Sequence, residues 1–210
     1  MRRVSLRGLG WVAAGVALAV LTACAPVDPS LPAAEEPVDS VTTTEDSLAA
    51  RSKALLSAVR DRDARTIAGF IHPAKGVRLS PYAYVEKVGD QVLTAAQFVE
   101  AFNDEAPRWW GVEDATGDPL MMSCADYFGR FVYDADFMEA KQTSIGTPIG
   151  RGNTINNAAE AYPAATIVEY HFPGFDPQYE GLDWRSLRLV FEQAEGDWFL
   201  VGIIHDEWTS

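Results

Sequence analysis

The stretch that decides the fold is Asp183–Trp208, with the sequence DWRSLRLVFEQAEGDWFLVGIIHDEW. Apolar residues stand at every second position from Leu187 to Phe191, which is the pattern of a half-buried strand. The tetrapeptide AEGD follows, and its Gly196 supplies the positive φ that a tight reversal needs. Trp198–Ile204 is apolar on both faces, which is typical of a central strand. These features predict a long hairpin whose second strand lies in the middle of a sheet.

Helical patterns dominate the residues before this hairpin. Asp46–Asp61 carries an apolar stripe at helical spacing, and Asp63 is a good N-cap for a second, short helix. Thr94–Gln97 has the form of a capping box, and Ser123–Val132 is predicted to be a helix that Ser123 caps. The first half of the domain is therefore predicted to be mainly helical.

Extended and irregular segments separate and follow these helices. Val77–Val85 is extended and aromatic, and Pro81 within it indicates an edge strand or a bend. Thr166–Phe172 is predicted to be a strand, whereas Thr143–Asn157 is rich in Gly, Asn and Thr and is predicted to be a mobile loop near a pocket mouth. Helices first and strands last predict an α+β fold with a mostly antiparallel sheet.

The N-terminus has the three-part layout of an export signal. A basic segment with Arg2 and Arg3 precedes the apolar run Leu9–Leu21, which is short for a permanent transmembrane helix. The next residues, LTAC, resemble the bacterial lipobox, and this resemblance implies that Cys24 becomes an acylated N-terminus. Because two or more acyl chains anchor a protein stably, we expect attachment to the cell membrane or the outer membrane through lipid on Cys24.

The chain is thus predicted to have three parts. Residues 1–23 form a signal peptide, residues 24–44 a Pro-rich linker after the lipidated cysteine, and residues 45–210 a folded domain facing the periplasm or exterior. The formal net charge is −13. A surface this acidic repels nucleic-acid phosphate, so nucleic acid is excluded as an expected partner.

Two N-terminal helices followed by a sheet that ends in LRLVFEQAEGDWFLVGIIHDEW resemble the nuclear-transport-factor-2-like, or cystatin-like, α+β roll. The segments HPAKGVRLSPYAYV and HDEWT also resemble an uncharacterised family of bacterial lipoproteins. The roll implies helices packed on a curved sheet, with an apolar, cone-shaped mouth that holds the binding pocket or active site. The lipoprotein resemblance implies no chemistry.

Candidate catalytic groups are few. Alternation places His205 and Glu207 on one face of a strand with Val201 and Ile203, and Asp206 on the other. Glu169 and His171 share a face of another strand. A histidine beside a carboxylate can act as a general base or bind a metal, although hydrogen-bonded structural histidines are the commoner case and no metal-binding spacing is present.

The remaining residues of interest are predicted to line a pocket, to form a turn or to lie in the core. The pocket candidates are His72, Tyr82, Trp109 and Trp110. Asp114 and Asp118 flank a glycine but miss the calcium-loop spacing, so a plain turn is expected. Cys124 is predicted to be a buried, inert thiol. No cofactor and no metal site are predicted.

Two main hypotheses follow. The first is a non-catalytic binding domain for an envelope component, a partner protein or a small apolar ligand. The second is a small enzyme of the ketosteroid-isomerase-like type, in which His171 or His205 transfers protons with Glu169 or Glu207. The second hypothesis needs these histidines to open into an apolar cavity.

Overall fold

The computed structural model describes residues Thr44–Thr209. The predicted signal peptide, Cys24 and nearly all of the predicted linker lie outside these residues. Within the described residues, no helix is both long and apolar enough to cross a bilayer.

The elements are numbered in chain order. The helices are α1 Thr44–Arg60, α2 Ala64–Ala68, α3 Ala95–Phe102, α4 Cys124–Phe131 and α5 Ala158–Ala161, with 3-10 turns at Phe137–Glu139 and Pro177–Tyr179. The strands are β1 Val77–Ser80, β2 Gln91–Leu93, β3 Arg108–Val112, β4 Pro119–Met122, β5 Gln142–Ile145, β6 Thr166–Phe172, β7 Arg185–Ala194 and β8 Asp197–Glu207.

Six strands form one sheet in the order β2-β1-β8-β7-β6-β5, and β3 pairs with β4 in a separate hairpin. Among the described strands of the large sheet, only the β1–β8 pair is parallel. Helices come first along the chain and the long strands last, so the predicted α+β class with a mostly antiparallel sheet is confirmed. The caps are confirmed as well, because Asp63, Thr94 and Ser123 each accept backbone hydrogen bonds at a helix start.

The predicted C-terminal hairpin is confirmed. Ala194 pairs with Asp197, and the two turn residues Glu195 and Gly196 have φ of 54° and 89°. Positive φ at both positions matches the right-handed twist of the flanking strands. β8 lies between β1 and β7, so it is the central strand that its double-sided apolar pattern predicts.

A β-bulge changes the alternation of β8. Val190 pairs with Gly202, and the next residue, Phe191, pairs with Leu200. Val201 therefore lies between two paired residues and has no partner of its own. Strict alternation predicted that Val201 shares the face of His205, and this was wrong. A bulge inserts one unpaired residue and so reverses the alternation beyond it; Val201 instead packs in the smaller core, on the opposite face.

The two faces of the sheet have different covers. We call the side that carries Leu187 and Leu189 the helical face, because its main core contains residues from α1, α3 and α4. We call the side that carries Arg188 and Val190 the loop face. There a smaller apolar cluster joins the sheet to α5. The central strands are therefore closed from water on both sides.

Two local predictions need correction. β1 is not an edge strand, since it pairs with β2 and β8. The strand ends at Ser80 and a bend begins at Pro81, so the alternative of a bend holds. Thr143–Ile145, predicted as part of a loop, belongs to β5 and forms an edge of the sheet. The polar residues of β5 show no alternation of apolar and polar side chains, so the local sequence did not indicate a strand. Pairing with β6 stabilises the extended conformation.

Candidate functional site

The strand register separates the two candidate histidines. His171 pairs with Ser186, which pairs with Asp206, whereas Leu187 pairs with His205. Directly paired residues share a face and consecutive residues alternate. His171 therefore lies on the loop face and His205 on the helical face, so the two do not open into a shared cavity.

The loop face contains a cavity of about 420 Å³. Its roof is the covering loop, residues 146–157, and its floor is the charged trio Glu169, Arg188 and Asp206. Ile167 and the first residues of α5 add apolar wall. Among the described residues, Arg151 is the other charged residue of the lining. The volume falls in the range of small-molecule sites, which combine apolar walls with a few polar groups.

Glu169 holds the covering loop against the sheet. Its carboxylate accepts hydrogen bonds from the backbone of Ile149 at 2.8 Å and Gly150 at 2.9 Å, and from the Ser186 hydroxyl at 2.7 Å. Burial alone raises the pKa of Glu169, but the charge of Arg188 and these hydrogen bonds outweigh it, so the pKa is lowered. The ionised form is the one that the fold binds.

Arg188 is the central residue of the trio and is only 1% exposed. One terminal nitrogen donates to Asp206 at 2.6 Å and to the carbonyl of Gly150 at 3.0 Å, and Nε lies 3.3 Å from Glu169. Nε and the other terminal nitrogen, Nη1, have no hydrogen-bond partner among the described residues and almost no accessible surface. A buried guanidinium N–H without an acceptor is costly, and the fold bears this cost.

Asp206 is the less stabilised carboxylate of the trio. Arg188 bonds one of its oxygens, and no other described residue donates to it. Burial raises the pKa of Asp206 above its ordinary value, and the attraction of Arg188 offsets only part of this effect. A group that compensated the negative charge of Asp206 would therefore stabilise the cavity.

Two glycines let the covering loop lie directly on the sheet. A Cβ on Gly150 would overlap the Ser186 hydroxyl and would lie 2.8 Å from the Trp184 ring and 3.0 Å from Glu169. A Cβ on Gly152 would also lie 2.8 Å from that ring. The close approach of backbone to an indole and a carboxylate explains why this loop is glycine-rich.

His171 lies beside the trio, though not in the cavity wall. Its Nδ1 is 2.8 Å from the hydroxyl of Ser186, which itself donates to Glu169. Because that hydroxyl proton points to Glu169, the hydroxyl accepts from the imidazole N–H, so Ser186 is not an activated nucleophile. Burial lowers the pKa of His171. Its predicted partnership with Glu169 is present, through Ser186.

His205 and Glu207 belong to a separate ionic cluster on the helical face. His205 is fully buried, and its Nε2 lies 3.2 Å from Asp134. Arg185 lies 2.8 Å from Asp134 and 3.2 Å from Glu207, and Arg130 lies 2.6 Å from Glu207. The cluster ties β7 and β8 to α4 and the residues after it.

Ligand atoms of Asp134, His205 and Glu207 lie within 4.8 Å of one another, a spacing that a metal ion could bridge. The two guanidinium groups already bind both carboxylates, however, and would repel a cation. We therefore assign the cluster as an ion-pair network. Burial alone raises the pKa of Asp134, but the His205 hydrogen bond and the nearby positive charges lower it overall.

The four residues predicted to line a pocket lie in different parts of the structure. Trp110 is fully buried, stacks on Tyr127 at 4.3 Å and donates to the carbonyl of Met122, so it is a core residue. His72 uses Nδ1 to accept from the backbone of the next turn. Tyr82 and Trp109 line a second groove of about 360 Å³.

Cys124 and the Asp114–Asp118 segment match their structural predictions. Burial raises the pKa of the Cys124 thiol to about 12, which is the behaviour of an inert core thiol. Asp114–Asp118 connects β3 to β4, and Gly117 within it has a positive φ. It is the plain turn that its spacing predicted.

Sequence reasoning missed three residues of the loop-face site: Ser186, Arg188 and Asp206. Each stands at a polar position of an alternating strand, where exposure to solvent is the usual expectation. The signal that could have found Arg188 and Asp206 is opposite charge on adjacent strands of a predicted hairpin. Pairing them required the register, which the turn at Gly196 and the bulge at Val201 set together.

Comparison with known proteins adds little. No family model matches the chain, and no curated protein matches it. Solved structures similar to it include a chain described as a calcium/calmodulin dependent protein kinase II association domain from Xanthomonas campestris, at 12% identity and a TM-score of 0.36, covering 79% of this chain and 88% of that chain. Another, named Rd1NTF2_05 with five substitutions, has 13% identity and a TM-score of 0.33 and covers 77% of this chain and 98% of its own. These likenesses carry no conclusion about ligand, partner or activity.

We expect Gly150→Ala to destabilise the protein by about 1–3 kcal/mol, because the new methyl group overpacks against Trp184 and Ser186. The matched control is Gly129→Ala in α4, where the added Cβ would meet only the mobile end of the Arg62 side chain, at 3.1 Å. That change is expected to stabilise the helix by about 0.5–1 kcal/mol. Urea unfolding of the full chain measures both; equal effects would contradict the close packing of the loop.

The pH dependence of stability tests the role of Glu169. Its folded-state pKa lies below the ordinary value of 4.5, so its contribution is present above pH 4.5 and is lost as pH falls through the folded-state pKa. Glu169→Gln is expected to cost about 3 kcal/mol at pH 7, because it breaks a buried ion pair. Asp206 has the opposite effect on the pH dependence of stability. Because its folded-state pKa is raised, its contribution is present below the ordinary pKa and is lost as pH rises through the folded-state pKa.

The difference in unfolding free energy between wild type and Glu169→Gln should therefore shrink as pH falls from 5 to 3. Chemical denaturation at a series of pH values gives this difference directly. A gap that stays constant over this range would show that Glu169 is not held in its ionised form by the fold.

Proposed function

We propose that this protein is an extracytoplasmic binding domain that takes a small ligand into the loop-face cavity. The observation that carries the proposal is the loop-face cavity itself, with its volume of about 420 Å³. Apolar wall from Ile167 and α5 stands over a charged floor. This combination of apolar walls with a few polar groups is typical of small-molecule sites.

The cavity also fits binding better than catalysis by the predicted histidines. Proton transfer of the ketosteroid-isomerase-like kind needs a base within reach of a bound substrate. His205 is buried in an ion-pair network on the helical face, and His171 is bonded to Ser186 beside the cavity rather than in its wall. The remaining arrangement is a preformed pocket with apolar sides and a charged floor.

The proposed location rests on the lipobox-like LTAC and the Pro-rich linker. Lipid on Cys24 would anchor the chain to a membrane, and the linker would hold the domain in the envelope space. In this setting a small-ligand site serves capture of a solute outside the cytoplasm.

Filling the cavity should abolish ligand binding. Fragment screening by ligand-observed NMR on the full chain, with Cys24→Ser to keep it in solution, is expected to find fragments that bind. Ala159 is an exposed residue of the cavity wall. Ala159→Trp should remove these signals because the indole occupies the cavity.

Val112→Trp is the matched control, since Val112 is exposed and lines the second groove. Fragments that still bind the Ala159→Trp variant but no longer bind the Val112→Trp variant would place binding in the second groove and overturn the proposal. The absence of any fragment signal with the folded protein would overturn it as well.

Replacement of the proposed lipidated cysteine tests the anchor separately. In a bacterial host fed radiolabelled palmitate, the wild-type chain is expected to carry the label, and Cys24→Ser is expected to carry none. Cys124→Ser is the matched control, because that thiol is buried in the domain. An unlabelled wild-type protein, or a labelled Cys24→Ser protein, would contradict lipid anchoring.

A further inference from the structure

The second groove lies between two segments that the fold brings together. One wall is the connection from β1 to β2, which contributes Tyr82 and Tyr84, and the other is the β3–β4 hairpin, which contributes Trp109 and Val112. The register of β3 against β4 is irregular between Trp109 and Val112, so two residues three positions apart both line the groove. Trp109 and Tyr84 are 41% and 46% exposed, so the groove presents aromatic surface to solvent.

The charged residues of this lining are acidic. Glu86 and Asp90 lie on the first wall, and Glu113 and Asp114 lie on the second. Among the described residues that line the groove, none is basic. Aromatic rings attract cations through the negative charge of their faces. Both kinds of side chain therefore favour a positively charged ligand.

Asp90 has a carboxylate oxygen that the fold does not use. The residue is only 9% exposed, and its Oδ2 accepts from the Ser80 hydroxyl and from the backbone of Glu86. No described residue donates to its Oδ1, which is not among the fully enclosed atoms and so keeps accessible surface. The nearby Arg78 donates to backbone carbonyls instead of this carboxylate. Burial raises the pKa of Asp90 to about 6, so a cationic donor would stabilise its ionised form.

The spacing of the carboxylates favours an extended cation over a metal ion. A calcium or magnesium ion needs several oxygen ligands that converge on one point. Among the described residues, no three acidic groups of this groove bring ligand atoms within 4.8 Å of one another. The acids instead lie on both walls, with aromatic surface between them.

From these observations we propose that the second groove binds a linear aliphatic diamine or polyamine. One ammonium group donates to Asp90, another reaches the carboxylates of the hairpin wall, and the methylene chain lies against Trp109. A monoamine would leave one wall without a partner, and a quaternary ammonium ion has no N–H to donate to Asp90. Among the described lining residues, only Thr154 is shared with the loop-face cavity, so this is a further site beyond the proposed function.

Three probes with one four-carbon body separate the head groups: 1,4-diaminobutane, 1-butylamine and 1,4-butanediol. Each is titrated into the full chain carrying Cys24→Ser at low ionic strength, and the indole N–H signal of Trp109, identified by its loss in Trp109→Phe, is followed by NMR. The Kd of diaminobutane is expected to be at least tenfold lower than that of butylamine, and butanediol is expected to leave the signal unchanged. Equal or tighter binding of butylamine, butanediol or calcium ion overturns the proposal, and so does the absence of diaminobutane binding.

Asp90→Asn gives a signature that a merely structural role would not produce. Because one ammonium group loses its counter-ion, the advantage of diaminobutane over butylamine should fall from at least tenfold to less than threefold. Glu113→Gln, at an exposed position of the other wall, should reduce the same ratio at least threefold. The matched control is Glu105→Gln, an exposed acid outside the groove lining, which should leave the ratio unchanged.

The aromatic contact has a matched pair of tryptophans. Trp109→Ala should weaken diaminobutane at least fivefold, measured by titration calorimetry, because the methylene chain loses its apolar surface. Trp208 is 43% exposed and lies outside the groove lining, so Trp208→Ala should have no effect. Equal effects of the two changes would contradict the contact with Trp109.

Thermal unfolding of each variant shows whether it is folded; if Asp90→Asn does not fold, the ratio in Glu113→Gln decides. A ratio that neither change reduces would overturn the proposal. Val112→Trp should abolish diaminobutane binding, and Ala159→Trp should leave it unchanged. The reverse result would place the diamine in the loop-face cavity, which overturns this inference and leaves the proposed function standing. Diamines are kept out of the fragment set used for that cavity, so each site is tested on its own.

Discussion

Burial of β8 on both faces is the constraint on which the rest of the structure depends. A central strand with apolar side chains on both sides needs a cover above and below, and one layer of helices can supply only one of them. The helices fill one side with an aromatic core. The other side is covered by α5 and by the covering loop. The covering loop has no regular secondary structure, yet it covers the second face of the sheet.

That division explains where the charged residues of the sheet are found. A loop cannot bury its backbone without partners for its N–H and C=O groups. Glu169 accepts two backbone N–H groups of the covering loop, and Arg188 donates to the carbonyl of Gly150. The buried charges thus hold the loop in place, and the loop in turn excludes water from the charges. The cavity left between this loop and the sheet makes the site a binding candidate.

Local features of the fold could be predicted because they depend on neighbouring residues. The Thr94–Gln97 capping box, the Asp63 and Ser123 caps, and the turn at Gly196 are determined within a few positions along the chain. Strand alternation likewise paired Glu169 with His171 and separated Asp206 from His205 correctly. The edge strand β5 was missed because its stability comes from β6 rather than from its own sequence.

What the sequence determined by itself was the class of fold, the central hairpin and the capped starts of α2, α3 and α4, together with the expectation of an export signal. What only the tertiary structure decided was which polar residues meet. Register placed His171 and His205 on opposite faces, a bulge moved Val201 across the sheet, and the covering loop turned Arg188 from an apparent surface residue into a buried one. The physical reason is that periodicity assigns a residue to a side of its strand, whereas contacts between strands and the burial of a face depend on segments distant in sequence.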